Sequence, residues 1–356
     1  MTSSTTPPIV SALIPTFRRP RLVERAIRSV LAQTYPSVRA CVFDNASGDG
    51  TRQTILRLAG EDARVIYHCH STNIGGGGNL NHAIQAVRTP FCSFLSDDDL
   101  LIPGFYEAAM STFARFPKAG FVVLDVLILS SWGDLALSPA LQRHPDGLYE
   151  PPRSLLALVN PCLPTWTGIV FRSELLQGLR ALNLDSGAAA DVDFVLRAGA
   201  HAPFAIRHVP GAIYTHDSIA LGRLIRGTHE GFWPGWMLMV DRLSADKTIP
   251  DEVAGPLRRR LLKMLKSNLA LSSVSGAIRG DFREATEGAQ ILKSALGESI
   301  RGASLGAFAI LCRRFPLFHA SVASLFQARV GLRHAWRKAR NAYGQYYPLI
   351  DSSIAP

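Results

Sequence analysis

Three adjacent carboxylates, Asp97, Asp98 and Asp99, follow an apolar segment at residues 91–95 that is long enough for one buried strand. Like charges on neighbouring residues raise each other's pKa unless a cation lies among them. Carboxylate oxygens favour Mg²⁺ or Mn²⁺, and these ions often share their coordination shell with substrate phosphates. This acidic triplet therefore indicates either a metal site or a solvated acidic turn before a helix, where Asp is also favoured.

Polar or glycine-rich stretches follow four successive apolar segments near the start of the chain. The apolar segments, at 9–14, 38–43, 65–68 and 91–95, alternate with helix-like segments, which predicts βαβ units and a mostly parallel sheet. The stretches that follow them are PTFR, DN, NIGGGGN and the acidic triplet. Because ligands of open α/β sheets bind outside the carboxyl ends of the strands, an aligned binding edge explains the four stretches better than unrelated solvated loops.

Length and composition limit the class of protein. With 356 residues, of which 47% are hydrophobic, the chain can form two domains with a sizeable core. Five cysteines without a CxxC pair argue against a disulfide framework or a zinc site. No apolar stretch reaches the roughly 18–20 residues of a spanning helix, and the N-terminus has no signal-like pattern. We therefore expect a cytoplasmic protein, soluble or peripheral at the inner face of the membrane.

The formal net charge of +10 lies in the rear of the chain. Residues 1–221 contain 18 Lys/Arg and 18 Asp/Glu, whereas residues 222–356 contain 20 and 10. From about residue 225 the apolar periodicity is helical, with amphipathic segments at 257–269, 282–292, 306–315 and 320–343. The sequence thus predicts an α/β domain at 1–222 and a basic helical region at 223–356.

Cations lie beside apolar stripes in two segments of this region, LRRRLLKMLK at 257–266 and LRHAWRKAR at 332–340. Such helices suit an anionic membrane surface. The alternative is a packing or oligomerisation region, for example of a homodimer, with a solvated basic face. A basic helix also suits nucleic acid, but no nucleic-acid motif is recognisable, so we expect no nucleic-acid partner.

Taken together, the motifs resemble those of the family 2 glycosyltransferases, inverting enzymes of the GT-A fold that use nucleotide-sugars. The resemblance rests on SALIPTFRRPRLVERAIRSVLAQTYP, VFDNASGDGT, NIGGGGNLNHAI and FLSDDDLLIPGF, and extends through TGIVFRSELL, AAADVDFVLRAG and AIYTHDS. It implies a Rossmann-like, mostly parallel sheet flanked by helices. It also implies metal-dependent transfer of a sugar from a nucleotide-diphospho-sugar to a hydroxyl of a glycan or lipid-linked acceptor.

The resemblance assigns a role in donor binding to several residues. Those that would border the nucleotide base are Pro15, Thr16 and Arg18, with Asp44 accepting a hydrogen bond from the base and Asn73 and Gly75 along the nucleoside. UDP or dTDP is expected in preference to GDP.

The metal, Mn²⁺ or Mg²⁺, would be held by Asp97 and Asp99, with Asp98 near the ribose or sugar and His216 as a further ligand. The family's acidic motif usually begins with an Asp where this chain has Ser96. The register is therefore open by one residue, and Asp99 is the first choice of direct ligand.

Inversion at an anomeric carbon needs a base that removes the proton of the acceptor hydroxyl. Asp191 stands at the place of the family's base, although Ala190 precedes it where the family often has Glu. Asp193 is the competing candidate. For either residue, the alternative is an Asp favoured by the dipole at a helix N-terminus.

Two other functions fit parts of this pattern. A sugar-phosphate nucleotidyltransferase also uses an α/β sheet and acidic metal ligands, but is expected to carry a basic, glycine-rich stretch after its first strand, and IPTFRRP has no glycine. A non-catalytic scaffold on a GT-A fold is disfavoured, because the acidic residues expected of an active enzyme are all present, namely Asp44, the acidic triplet and Asp191.

Overall fold

The computed structural model describes residues 9–130, 133–159, 162–179, 181–215, 229–340 and 342–350. In its first part, strands alternate with helices as the sequence predicts. These elements are β1 (Val10–Thr16), α1 (Pro20–Leu31), β2 (Val38–Asp44), α2 (Thr51–Glu61), β3 (Val65–Cys69), α3 (Gly76–Ala86), β4 (Phe91–Phe94), β5 (Leu100–Leu101), α4 (Phe105–Arg115) and β6 (Phe121–Leu129).

Shorter elements follow β6 and complete the sheet. They are β7 (Leu135–Leu137), β8 (Gly147–Tyr149), α5 (Leu155–Leu158), a 3₁₀ turn (Trp166–Gly168), β9 (Ile169–Arg172), α6 (Ser173–Gly178), a second 3₁₀ segment (Leu184–Ala189), α7 (Ala190–His201) and β10 (Phe204–Thr215). The sequence did not indicate β5, β7 or β8, because strands of two or three residues are too short to show an alternating pattern.

The strands form one sheet in the order β3-β2-β1-β4-β9-β6-β10-β5, with β7 beside β6 and β8 beside β10. β1 pairs in parallel with β2 and β4, and β6 pairs in parallel with β10. β9 is antiparallel to both β4 and β6, so β4 and β6 run in the same direction. The carboxyl ends of β1, β2, β3, β4, β6 and β10 therefore meet at one edge, which we call the carboxyl edge.

Both faces of this sheet are covered, which explains the continuous apolar character of its central strands. On one face, α1 contributes Val23, Ile27 and Val30 to a core that includes Val10 and Ile14 of β1. A second core, on the other face, contains Leu13, Phe94 and Phe194. The predicted α/β fold with a mostly parallel sheet is confirmed.

The rear of the chain is helical, as predicted, with α8 (His229–Ala245), α9 (Asp251–Arg279), α10 (Phe282–Ser294), α11 (Ser299–Arg314), α12 (Pro316–Arg340) and a closing 3₁₀ segment (Gly344–Leu349). Leu257, Leu261 and Leu265 of α9 are buried in the second core. The segment 257–266 thus packs its apolar stripe against the α/β part, which leaves it unsuited to lie on a bilayer. Across the described residues, no helix is both long enough and apolar enough to cross a membrane.

The glycine run differs from the sequence prediction. The sequence pattern predicts the start of helix α3 at Asn79, but the helix begins three residues earlier, at Gly76, so the glycine run forms its first turn although glycine disfavours helices. A Cβ at Gly77 would lie 2.5 Å from Leu184 Cδ2, which is the end of an exposed side chain that could move aside. Gly75, directly before the helix, has a φ of +77°, which favours glycine.

Candidate active site

The acidic triplet lies just beyond β4 at the carboxyl edge, and a guanidinium lies among its charges. Arg19 Nη1 donates to Asp97 Oδ1 at 2.9 Å and to Asp98 Oδ2 at 3.1 Å. Thr16, the last residue of β1, donates from Oγ1 to Asp97 Oδ2 at 2.8 Å. Arg25 Nη2 donates to the main-chain oxygen of Asp98 at 2.6 Å, which fixes the turn. The side chains of Arg19 and Asp97 are largely buried, so solvent and salt screen the attraction between their charges only weakly.

Arg19 does not cancel the acidic charge. Burial raises the pKa of Asp97 to about 6, although Arg19 and Thr16 oppose the shift. Burial, together with the charge of Asp98, raises the pKa of Asp99 to about 8. An additional cation at this turn would therefore be electrostatically favourable.

The three carboxylates of the triplet have different surroundings. Asp99 is fully buried, and it accepts hydrogen bonds from Thr167 Oγ1 at 2.6 Å and from the main-chain N–H of Thr215 at 2.8 Å. Both of its oxygens are thus engaged inside the protein. Asp98 is more exposed, and among the described residues only its Oδ2 receives a hydrogen bond, from Arg19. The expectation that Asp99 faces a ligand does not match this geometry, which instead favours Asp98.

The donor chemistry at this turn suits a hard divalent cation. Within the described ranges, no group of three or more His, Cys, Asp or Glu side chains is arranged to hold a metal ion by itself. A Mg²⁺-type site usually needs only one or two protein carboxylates, because substrate phosphates and water complete its shell. Asp98, with Asp97 beside it, fits such an open site. His216, the further ligand predicted from the sequence, lies outside the described residues.

The ends of β1 and β2 are tied together beside the triplet. Arg18, which has a positive φ of 56°, donates from its main-chain N–H to Ser47 Oγ at 2.8 Å and from Nε to Ser47 O at 3.0 Å. Asp44, which ends β2, is buried and accepts from Ser47 N at 3.0 Å, Ser47 Oγ at 2.5 Å and Tyr67 Oη at 2.9 Å. The Asp44 carboxylate therefore stabilises the loop after β2 through contacts within the protein. Pro15, also predicted as a base contact, pairs with Phe43 within the sheet.

The loop before the glycine run is held against β2 by amide side chains. Asn45 Nδ2 donates to Asn73 Oδ1 at 2.9 Å, and Asn45 Oδ1 accepts from the main-chain N–H of Ile74 at 2.9 Å. Asn73 Oδ1 also accepts from Gly75 N at 2.9 Å. The predicted donor-binding residues at the ends of β1, β2 and β3 thus lie side by side at the carboxyl edge.

Helix α7 presents two carboxylates of different character. Asp191, in its first turn, is half-buried and accepts from Val192 N at 2.8 Å, while its Oδ2 has no hydrogen bond within the described part of the chain. Burial raises the pKa of Asp191. Asp193 is buried and accepts from Asn183 Nδ2 at 2.8 Å and Arg197 Nε at 2.9 Å. Asp191 is therefore the candidate that can act on a ligand, and Asp193 holds the helix in place.

Aromatic packing joins α7 to the strand that precedes the acidic triplet. The rings of Phe94 in β4 and Phe194 in α7 meet edge to face with centroids 6.2 Å apart. Trp166 stacks on Phe94 at 4.6 Å, which favours a packing role for its ring over contact with a sugar. These contacts position the first turn of α7 relative to the acidic triplet.

Sequence reasoning missed several residues that shape this site. Arg19 was visible as the second arginine of FRRP, but nothing local indicated which arginine faces the acids. Thr167 and Thr215 reach Asp99 across sequence separations of 68 and 116 residues, so no local pattern could have identified them.

Comparison with known proteins identifies the front of the chain. The sequence model of Glycosyl transferase family 2 matches residues 11–159, which contain the predicted donor-binding residues and the acidic triplet. Residues 11–159 match glycosyl transferase family 2. This family 2 segment ends before α7, so Asp191 lies beyond the matched residues.

Named relatives support the same family. A GalNAc(5)-diNAcBac-PP-undecaprenol beta-1,3-glucosyltransferase of Campylobacter jejuni is 32% identical over 131 residues, which are 36% of this chain and 41% of that protein. The chain spans about half or less of the length of the first curated relatives it matches.

Solved structures extend the likeness beyond the family 2 segment. Residues 1–349 of TarS from S. aureus, in complex with UDP-GlcNAc, align with a TM-score of 0.62 over 90% of this chain and 92% of that one, at 15% identity. A mannosyltransferase from Pyrobaculum calidifontis, in complex with GDP-Man and Mn²⁺, aligns with a TM-score of 0.52 over 94% and 89%, at 17% identity. The GT-A fold expected from the sequence is thereby confirmed.

Proposed function

We propose that the protein is a metal-dependent inverting glycosyltransferase of hexosyltransferase type. It moves a sugar from a nucleotide-diphospho-sugar to a hydroxyl of a glycan or lipid-linked acceptor. The observation that carries this proposal is the acidic triplet, which lies within the family 2 segment, at the carboxyl edge, beside the donor-binding loops.

In this proposal, Asp98 and Asp97 hold Mn²⁺ or Mg²⁺ against the donor diphosphate. The bound cation would stabilise the charge of the departing diphosphate. Arg19 keeps both carboxylates aligned before the donor arrives, since it donates to one oxygen of each. Asp99 stabilises the turn from inside the protein by accepting a hydrogen bond from Thr167. His216 is proposed as a further metal ligand.

The nucleotide binds at the carboxyl edge, along the ends of β1, β2 and β3. Thr16 and Arg18 border the base with Pro15, while Asn73 and Gly75 lie along the nucleoside. Asp44 accepts a hydrogen bond from the base. Because its oxygens are already shared with Ser47 and Tyr67, a base N–H would join or replace one of these donors. UDP or dTDP remains the proposed nucleotide. The two structural neighbours carry UDP-GlcNAc in one case and GDP-Man in the other.

Asp191 acts as the general base. Its burial favours the neutral form, so the carboxylate accepts a proton more readily than a solvated Asp. Its Oδ2, which makes no hydrogen bond to the described residues, is the oxygen that would receive the proton of the acceptor hydroxyl. Asp193 is the poorer candidate because its side chain is buried and Asn183 and Arg197 bind its Oδ2; its Oδ1 has no hydrogen bond within the described residues but is closed off from a ligand.

The acceptor is proposed to be lipid-linked, which would place the enzyme peripherally at the inner face of a membrane. The support is the name of the Campylobacter relative, which contains an undecaprenol-linked substrate. The division of the chain into a catalytic domain at 1–222 and a helical region at 223–356 is part of the same proposal.

A thermal-shift screen of UDP-, dTDP- and GDP-sugars, each with and without Mn²⁺, tests this function. A donor that binds the native state raises the melting temperature by mass action, and we expect the largest rise with a UDP- or dTDP-sugar plus Mn²⁺. If no nucleotide-sugar shifts the transition, the chain is a scaffold on a transferase fold. If a nucleoside triphosphate and a sugar phosphate are converted with release of pyrophosphate, it is a nucleotidyltransferase.

A further inference from the structure

Exposed apolar side chains are concentrated in the last two long helices. Of the sixteen large apolar side chains exposed among the described residues, ten lie in α11, in α12 or at the junction between them. They are Ile300, Ile310, Leu311, Phe315, Leu317, Phe318, Leu325, Phe326, Leu332 and Trp336. A soluble monomer rarely exposes so many neighbouring apolar groups, so this surface is expected to bind a partner.

On α12, four of these side chains, Phe318, Leu325, Leu332 and Trp336, form a stripe along one face. Phe318, Leu325 and Leu332 are seven residues apart, about two helical turns, and Trp336 follows one turn later. Leu325 and Leu332 are each 73% exposed, and Trp336 is 57% exposed. His334 is the buried residue of this helix, and it lies on the opposite side, against the α/β part. The stripe from Leu325 to Trp336 therefore faces away from the protein, whereas Phe318 at its start also contacts the ring of Phe308 in α11.

The charge around the stripe has one sign. Residues 299–350 contain eight Lys/Arg and no Asp or Glu. By helical spacing, Arg329, Arg333 and Arg340 lie along one side of the stripe, and the Arg340 guanidinium lies 4.6 Å from the centroid of the Trp336 ring. An apolar stripe of Leu, Phe and Trp bordered by arginines is the pattern of a helix that lies in a membrane interface.

We infer that α11 and α12 form a docking surface for an anionic lipid bilayer. The arginines would meet lipid phosphates while the stripe enters the boundary between headgroups and acyl chains. A second copy of the chain is a poorer occupant, because a two-fold contact would bring two acid-free basic surfaces together. The positive charge of the surface thus favours an anionic partner. The apolar stripe on one face of the helix favours a bilayer as that partner.

The anchor of this surface lies at the carboxyl edge. Asp134 follows the end of β6 and pairs with His334 and Arg337 of α12. The segment after α12 packs Tyr343, Tyr346, Tyr347, Leu349 and Ile350 against a small core that contains Leu100 and Ile102, directly after the acidic triplet. Docking through α12 would therefore hold the candidate active site near the membrane. The docking itself does not depend on the proposed sugar transfer.

Co-sedimentation of the full chain with vesicles tests the inference. Vesicles of phosphatidylcholine alone are compared with vesicles that also contain phosphatidylglycerol, without donor or metal, so the outcome is independent of catalysis. We expect binding to the anionic vesicles at low salt and a steep decrease at high salt, because salt screens the arginines. Absence of binding to anionic vesicles at low salt would overturn the inference.

Matched variants test whether vesicle binding depends on the stripe or on exposed apolar side chains in general. The double variant Leu325→Ser/Leu332→Ser should bind anionic vesicles about tenfold or more weakly, since it removes two side chains from the buried stripe. Leu271 of α9 is 68% exposed but lies outside this surface, so Leu271→Ser is the control and should bind as the wild type does. Equal binding by the double variant and the wild type would contradict the assignment.

The arginines and the tryptophan provide two further measurements. Arg329→Gln/Arg333→Gln should weaken binding by on the order of tenfold at low salt and much less at high salt. Trp336 fluorescence should be quenched by brominated lipids, and this part of the signal should vanish in Trp336→Phe.

Two results would assign the surface to another partner. Binding to soluble polyglutamate but not to vesicles would indicate an acidic protein. A dimer in sedimentation that Leu325→Ser/Leu332→Ser dissociates, without vesicle binding, would indicate a second copy.

Discussion

Thr167 donates a hydrogen bond of 2.6 Å from its Oγ1 to the fully buried carboxylate of Asp99. This contact connects the 3₁₀ turn before β9 to the last residue of the acidic triplet. It removes Asp99 from the ligand-facing surface and leaves Asp98 as the more accessible carboxylate. The triplet thus combines an inward residue that orders the turn with Asp98, the carboxylate that is most accessible to a cation.

The first prediction separates Asp98 from Asp99. Asp98→Asn should fold normally but lose the Mn²⁺-dependent part of the thermal shift produced by UDP, because the amide is a poor ligand for a hard cation. Asp99→Leu should instead lower the free energy of unfolding by roughly 1–3 kcal/mol, since it leaves the Thr167 hydroxyl and the Thr215 N–H without their acceptor. Urea unfolding and thermal shift measure the two effects. A full Mn²⁺ response in Asp98→Asn would return the assignment to Asp97 or Asp99.

The second prediction concerns Arg19 as the internal counter-charge of the triplet. Arg19→Gln should melt at a lower temperature than the wild type without metal, because Asp97 and Asp98 then repel each other. Mn²⁺ should restore part of this loss, so its stabilising effect should be larger in the variant than in the wild type. Arg21→Gln, two residues along α1 and exposed, is the matched control and should show the wild-type response. Identical Mn²⁺ shifts in all three proteins would argue against a cation at the triplet.

The third prediction distinguishes the two carboxylates of α7. Asp191→Asn should bind the donor as the wild type does while transfer falls by ~10²-fold or more, because the amide cannot accept the hydroxyl proton. Asp193→Asn should mainly lose stability, since Arg197 and Asn183 lose their charged partner. Donor titration, product formation and chemical unfolding are measured on both variants. If transfer is abolished in Asp193→Asn and retained in Asp191→Asn, the base has been misassigned.

The fourth prediction is the pH dependence that follows from the raised pKa of Asp191. The base acts only when deprotonated, so kcat/KM should rise with pH through this pKa, above the ordinary Asp value of about 3.9. Asp191→Asn should lack this rising limb. A raised carboxyl pKa also means that the wild type loses stability relative to Asp191→Asn as pH rises through it. An unchanged acidic limb in the variant would show that another group titrates.

The main elements and the carboxyl edge could be predicted because they depend on local patterns. Apolar strands separated by amphipathic helices specify the parallel sheet, and the polar stretch after each strand then falls at one edge without further information. The sequence pattern indicates a helix only after the glycine run, whereas the structure includes Gly76, Gly77 and Gly78 in the first turn of α3 although glycine disfavours helices.

The orientation of individual side chains could not be predicted. Which carboxylate of the triplet turns inward depends on Thr167 and Thr215, which are far away in the sequence. Similarly, LRRRLLKMLK has a basic amphipathic pattern, and only the packing of Leu257, Leu261 and Leu265 reveals that its apolar side is already covered. A sequence pattern indicates an apolar face, but the partner of that face is set by tertiary structure.

The last prediction concerns the anchor of α12 at the carboxyl edge. Asp134 is buried beside His334 and Arg337, and its side chain also accepts from Ser130. Asp134→Asn should loosen α12 without unfolding the sheet, because Arg337 and His334 lose their charged partner while α9 remains packed in the core. Hydrogen exchange should rise in residues 316–340 and stay unchanged in α1. Asp146→Asn, which alters a more exposed pair with Arg207, is the matched control and should leave α12 protected.

Acid should have the same effect on the wild-type anchor. Burial alone would raise the pKa of Asp134, but Ser130, His334 and Arg337 outweigh it and hold the pKa below its ordinary value. The stabilisation is therefore complete above the ordinary Asp pKa of about 3.9 and is lost as pH falls through the lowered value. Exchange in α12 of the wild type should approach that of Asp134→Asn only in this acidic range. If α12 is equally protected in both proteins at neutral pH, the tyrosine-rich segment after it, and not Asp134, holds the helix to the α/β part.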